Sequence, residues 1–195
     1  MRGIGVRGVV KAALVPALLL SGVLWPASHA APSTGVDMAC GRGGSAICGT
    51  AAADDIYVNG SDRVVFAGKG DDTIYVDGAR NTIHAGAGDD TVYIKGAGNT
   101  FFGEAGNDRG HSGHGGDTLS GGSGADAFRG RRGTDSLVGG GGADTLRSGP
   151  GNDELTGGDG GDFLRASRGS DVLDGGAGDD DCRTGPGRDR ATRCD

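Results

Sequence analysis

The chain is poor in much of what a compact enzyme uses. In 195 residues it has one tryptophan, two methionines, five prolines and 5% aromatic side chains. Its one long apolar run, residues 12–24, is followed by no second, so nothing downstream reads as a membrane span. Neither an H-E-x-x-H zinc-protease pattern nor a serine-nucleophile motif occurs, which removes the most familiar hydrolase signatures. Basic residues are too few to balance the acidic ones, 19 against 26. That imbalance speaks against nucleic acid and for cations as partners. Cysteine is confined to the two ends, at Cys40, Cys48, Cys182 and Cys194. The spacings are not C-x2-C and no histidine adjoins either pair, so zinc ligation is set aside.

The apolar run belongs to the first thirty residues. Arg2, Arg7 and Lys11 make a basic start, and Ser28-His29-Ala30 a small-x-small end. Residues 1–30 are therefore predicted to be a secretory signal peptide. Removing three basic residues takes the net charge from −7 to −10. The expected location is secreted and extracellular, where cysteines oxidise, and local staples Cys40–Cys48 and Cys182–Cys194 are expected.

What is abundant is glycine, with 44 residues. Without a period such a content would argue for disorder, but a period is present. Sixteen nine-residue windows in one phase run from Gly49 to Thr192. The sixth residue of the last ten is always aspartate, and the eighth is usually apolar. Alternate windows differ. Those beginning at 67, 85, 103, 121, 139, 157 and 175 keep glycine at position four and aspartate at position six. The intervening ones are looser, with Arg63, Asn81 and Asn99 at position six. The unit is thus eighteen residues, two turns and two short strands. Residues 31–48 are expected to form a stapled N-terminal cap, and residues 193–195 an end tied back by Cys194.

Glycine permits positive φ and tight turns. The last three residues of a window, such as Thr73-Ile74-Tyr75, are strand formers with one side chain pointing inward. Stacked at about 4.8 Å, eight coils make a rod of roughly 40 Å with a thin core. Apolar residues at position one (Val58, Ala67, Val76, Ala85, Ile94) should lengthen the N-terminal strands. Gly110, at an apolar position, reads as a seam between two halves.

Stacking brings like charges into files. Two carboxylates one strand apart repel by roughly 1 kcal/mol in water and several-fold more in a less polar setting. Such files on a glycine-rich backbone should not fold unaided. A hard divalent cation ligated by carboxylates and carbonyls relieves them, and calcium, with six to eight oxygens in flexible geometry, suits the site.

GGSGADAFR, GGGGADTLR, GGDGGDFLR and GGAGDDDCR resemble the haemolysin-type (RTX) calcium-binding nonapeptide repeat, G-G-x-G-x-D-x-U-x with U apolar. The resemblance implies an all-β, right-handed parallel β-roll over residues 49–192, with several calcium ions held between same-side turns. Carried over by position, the ligands on the stricter flank are Asp72, Asp90, Asp108, Asp126, Asp144, Asp162 and Asp180. On the looser flank they are Asp117, Asp135, Asp153, Asp171 and Asp189. Asn81 and Asn99 are expected to form a calcium-free hydrogen-bonded ladder, and Asp71, Asp89 and Asp179 to be solvated. The protease, lipase or toxin domain that usually accompanies such repeats is missing from this sequence, so only the calcium-binding module carries over.

Three functions remain. The first is a secreted calcium-binding structural or binding module. The second is adhesion to a glycan or protein through two outward aromatic columns, Tyr57, Tyr75 and Tyr93 running into His111, and Phe66, His84 and Phe102. The bland reading of those columns is cross-strand stacking. The third, a polysaccharide-active enzyme, is disfavoured because sixteen near-copies offer no single distinctive place for catalysis. His111-x-x-His114 reads as a bystander rather than a metal pair.

Overall fold

The computed structural model describes residues 46–195. The expected leader and most of the expected cap, Cys40 included, lie outside the described residues. Each window's β-forming tail becomes a strand, and successive strands fall alternately into two sheets. The first sheet has nine strands: Ala46–Cys48, Val64–Lys69, Thr82–Ala87, Thr100–Ala105, Thr118–Ser123, Ser136–Gly141, Glu154–Asp159, Val172–Ala177 and Arg190–Thr192. The second has eight: Asp55–Asn59, Thr73–Asp77, Thr91–Ile94, Arg109–His111, Ala127–Arg129, Thr145–Arg147, Phe163–Arg165 and Asp181–Arg183. Neighbours in each sheet are parallel and eighteen residues apart, as in Ile56↔Ile74 and Leu137↔Leu155. The described residues form an all-β solenoid of about eight turns, with no helix.

Position eight supplies the core. Val65, Ile83, Phe101, Leu119, Leu137, Leu155 and Leu173 from the first sheet meet Ile56, Ile74, Val92, Phe128, Leu146 and Leu164 from the second, all buried. Each such side chain stabilises the fold by about 1.5–3 kcal/mol, so the stack depends on every coil contributing one or two. Gly110 does not interrupt it. A methyl there would lie 2.4 Å from Leu119 Cδ2 and 2.8 Å from Phe128 Cδ1. Phe128 packs edge-on against Phe101, with centroids 6.0 Å apart. The larger side chains fill the space that Gly110 leaves, and strand pairing runs unbroken through Val92↔Gly110↔Phe128. No seam divides the stack.

The expected lengthening of N-terminal strands holds for one sheet only. In the second sheet, strands are five, five and four residues long while Val58, Val76 and Ile94 are buried at position one. From Arg109–His111 onward they are three residues long. First-sheet strands keep six residues from Val64–Lys69 to Val172–Ala177, although position one changes from alanine to glycine. Pairing such as Gly140↔Gly158 needs no side chain, so glycine there leaves the ladder intact.

At the C-terminal end Cys182 takes the core position and is bonded to Cys194, with Cα atoms 5.7 Å apart. Cys48 is also in a disulfide, and its expected partner Cys40 lies outside the described residues. Among the described residues no helix is long and apolar enough to cross a membrane.

Candidate metal centres

Every strict turn carries a strand of the first sheet over to one of the second, with positive φ at positions two and four. The pairs are Gly68 and Gly70, Gly86 and Gly88, Glu104 and Gly106, Gly122 and Gly124, Gly140 and Gly142, Gly158 and Gly160, and Gly176 and Gly178. Glycine is required at position two by the neighbouring coil as well as by φ. A methyl on Gly140 would lie 2.2 Å from the Gly122 carbonyl oxygen. Glu104 is the exception, at φ 76, and its carboxylate pairs with His84 Nδ1 at 3.0 Å.

These turns aim position six inward. Asp72, Asp90, Asp108, Asp126, Asp144, Asp162 and Asp180 are all buried, in one file. The Oδ1 atom of each accepts the backbone N–H of the aspartate one coil earlier: Asp72 N to Asp90 Oδ1 at 2.7 Å, Asp90 N to Asp108 at 2.9 Å, Asp108 N to Asp126 at 2.7 Å. The looser flank builds a second file in the same way, with Asn99 N to Asp117 Oδ1, Asp117 N to Asp135 and Asp135 N to Asp153 each at 2.9 Å. The structure thus brings all twelve aspartates singled out in the sequence into two continuous files.

In all but Asp189, one oxygen is then left over. Oδ2 of Asp72, Asp90, Asp108, Asp117, Asp126, Asp135, Asp144, Asp153, Asp162, Asp171 and Asp180 is inaccessible to solvent and receives no hydrogen bond from the protein. Such an atom costs about 1–3 kcal/mol, and more when charged. The head of the looser file shows what occupies the equivalent place when no carboxylate is used. Asn81 Nδ2 donates to Gly60 O and to Asn99 Oδ1, both at 3.1 Å. Asn99 Nδ2 donates to Gly78 O and Asp117 Oδ1, both at 3.2 Å. The asparagines form the expected hydrogen-bonded ladder. Where aspartate replaces them, an oxygen stands in the donor's place.

On the strict flank from Gly103 onward, that oxygen lies against a glycine and a second oxygen. A methyl built on Gly121 would sit 1.9 Å from Asp126 Oδ2 and 2.6 Å from Gly139 O. On Gly139 it would sit 2.1 Å from Asp144 Oδ2 and 2.7 Å from Gly157 O. This small cradle, flanked by a carboxylate and a carbonyl oxygen, fits a hard cation and excludes a side chain. Buried Ala67 and Ala85 stand at the same position in the coils of Asp72 and Asp90.

Burial raises the carboxyl pKa of Asp72, Asp90, Asp108, Asp126 and Asp144 in the strict file, with neighbouring carboxylates adding to it. Asp72, Asp108, Asp126 and Asp144 rise to about 6, and Asp90 to about 7. Burial also raises Asp162, Asp117, Asp135, Asp153 and Asp171, and the ladder hydrogen bonds oppose it. No three or more His, Cys, Asp or Glu side chains converge on one point among the described residues. Each coil contributes at most one inward carboxylate per flank, so backbone carbonyls must complete any ion's shell.

Some residues behave differently from their sequence reading. Asp189 ends the looser file, accepting from Asp171 N at 3.0 Å, and is only partly buried. Asp71 and Asp89 are not merely solvated. Each accepts the N–H of the following coil, Asp89 N to Asp71 Oδ1 at 2.9 Å and Asn107 N to Asp89 Oδ1 at 2.8 Å. This outer ladder runs opposite to the inner one. Asp54 was missed, although it holds position six of the first window. Its Oδ2 accepts from Thr50 N at 2.6 Å and Thr50 Oγ1 at 2.8 Å, so it closes the strict file with a satisfied carboxylate.

The aromatic columns are real. Tyr57, Tyr75, Tyr93 and His111 stack at 4.9, 5.3 and 5.2 Å. Phe66, His84 and Phe102 stack at 5.1 and 5.0 Å on the other sheet. Within each column the facing ring surfaces are covered by neighbouring rings.

A family model described as the RTX calcium-binding nonapeptide repeat matches in four copies, at residues 57–92, 96–119, 120–155 and 156–191. No curated protein matches the chain.

Proposed function

The chain belongs to the RTX calcium-binding nonapeptide repeat family, and on that premise we propose that it is a secreted, non-enzymatic structural module whose folding is coupled to calcium. The reading rests above all on the buried Oδ2 atoms that accept no hydrogen bond where the asparagine ladder has a donor. The strict-flank carboxylates of Asp72, Asp90, Asp108, Asp126, Asp144, Asp162 and Asp180 would ligate calcium together with turn carbonyls. The looser Asp117, Asp135, Asp153 and Asp171 would do so less tightly, with Asp189 as an end ligand. Bound calcium supplies positive charge to buried oxygens that accept no hydrogen bond. Affinities near those of extracellular calcium modules, about 10⁻⁴–10⁻³ M, are expected, with neighbouring coils reinforcing one another. The apolar run and small-x-small end of residues 1–30 support export. Far-UV circular dichroism tests the coupling: chelation at neutral pH should abolish most of the β signal, and retention of the full signal would overturn it.

Adhesion is the second reading, supported by exposure of Tyr57, Phe66 and Tyr93 at 45%, 47% and 41%. Replacing Tyr75 and Tyr93 by serine separates the two roles. A structural column predicts lower thermal stability with unchanged retention on polysaccharide, and an adhesive column predicts lost retention.

A further inference from the structure

The outer file of the second sheet changes character halfway. The register Tyr57↔Tyr75↔Tyr93↔His111 continues as Arg129↔Arg147↔Arg165↔Arg183. Position eight of these strands points into the core, so the four arginines at position nine stand outward, all exposed. Parallel strands set them about 4.8 Å apart. Four like charges in a row are a cost unless something answers them. Arg183 is answered by Asp181, with Nη2 to Oδ2 at 2.7 Å. Among the described residues Arg129, Arg147 and Arg165 join no ion pair. The guanidinium groups of Arg147 and Arg183 lie over the Phe163 ring, 5.5 and 5.1 Å from its centroid, which holds the file in order. His111, at its upper end, has its pKa lowered by burial and then by Arg129 and Arg131.

Beside the arginines runs an open groove of about 570 Å³. Arg129, Arg147 and Arg165 line it, and Ser167 and Thr184 supply hydroxyl groups. We propose that this groove and its arginine file are a docking surface for a linear anionic polysaccharide, sulfated or carboxylated. The positive strip stands on a protein of net charge −7, so it is local rather than a consequence of composition. Single-stranded nucleic acid needs aromatic faces for base stacking. Here Phe163 is covered by two guanidinium groups, and the tyrosines cover one another. A folded protein partner needs an apolar anchor, which this groove does not offer. Hydroxyl groups beside a line of fork-shaped donors match a hydroxylated chain that carries charge at intervals. The surface uses none of the aspartate oxygens and does not depend on the calcium reading beyond folding.

Fluorescence anisotropy of the calcium-loaded protein with labelled dextran sulfate, uncharged dextran and poly(U) tests this. Dextran sulfate should bind, less tightly as salt rises from about 50 to about 200 mM, and uncharged dextran should not. The triple variant Arg129→Ser, Arg147→Ser, Arg165→Ser should weaken binding about tenfold or more. The glutamine triple at the same positions, which keeps the apolar stems over the sheet, should behave alike. Lys69→Ser, Arg80→Ser, Arg190→Ser removes equal charge elsewhere and should change binding by less than about twofold. Equal loss in both sets of variants, equal binding of uncharged dextran, or tighter binding of poly(U) would each overturn the proposal. Calcium stoichiometry by native mass spectrometry on the same samples reports separately on the calcium reading.

Discussion

The two flanks of this solenoid are built from the same nonapeptide frame, yet they solve the same problem differently. Strict turns take positive φ at positions two and four in all seven coils from residue 67 to residue 180. On the looser flank the positive-φ residue wanders, at Gly60 and Asp62, then Arg80, then Gly98, then at position four in Gly115, Gly133 and Gly169 but not in Gly151 or Gly187. The strict file is all carboxylate, whereas the looser one opens with Asn81 and Asn99, whose amide groups donate to nearby carbonyls. One atom per residue separates a self-sufficient turn from one that needs a cation or a proton. Repetition of the backbone therefore does not by itself specify where ions bind.

The largest effect that should sharpen this comparison comes from pH, because the file's contributions add. Burial pushes the carboxyl groups of Asp72, Asp108, Asp126 and Asp144 up to about 6 and that of Asp90 up to about 7, against 3.8 for an ordinary aspartate. Between those values the folded chain holds protons that the unfolded chain has released. Its calcium-free stability therefore falls as pH rises from about 4 to about 7. A chelated sample should show a cooperative thermal transition at pH 5 that is lowered or lost at pH 8, with the difference reduced by saturating calcium. A chelated melting temperature that rises over that interval would remove the argument.

Next in size is the glycine requirement. Gly140→Ala on the strict flank meets a carbonyl oxygen at φ +121 and should cost about 3 kcal/mol in calcium-loaded denaturant unfolding. Gly98→Ala on the looser flank, at φ +71 with its nearest neighbour 3.5 Å away, should cost about 1 kcal/mol. Similar losses would mean that the flanks do not differ in backbone demand.

Of similar or smaller size is the substitution that copies one flank's chemistry onto the other. Asp126→Asn and Asp135→Asn each replace an oxygen that accepts no hydrogen bond by a donor, and should raise calcium-free stability by about 1–3 kcal/mol. Native mass spectrometry should show one ion fewer for Asp126→Asn. The same loss of one ion for Asp135→Asn would show that the flanks bind alike. The smallest effect is expected from Ala85→Gly, which opens in front of Asp90 the cradle present beside Asp126. Calcium affinity should rise a few-fold, worth about 1 kcal/mol. No change would mean that position one does not govern the site.

Much of this was legible in the residues. The phase of sixteen windows, the inward position eight and the two aspartate files follow from periodicity, because a stacked coil places residues eighteen apart side by side. Asp54 carried the same signal but lacked its flanking glycines. The outer ladder through Asp71 and Asp89 was not legible, since exposed acids look solvated until a neighbouring N–H is placed against them. Gly110 misled for a related reason: an absent side chain reads as a break, and only packing shows Phe128 filling it.

Sequence alone therefore settled the repeat, its length and which side chains share a file, because those are matters of counting along a regular coil. Tertiary structure decided which oxygen of each aspartate is held and which is left over, that aromatic rings are stacked on one another, and that among the described residues Arg129, Arg147 and Arg165 stand without acidic partners. Those outcomes depend on distances between separate turns of the chain, and no spacing within a single turn contains them.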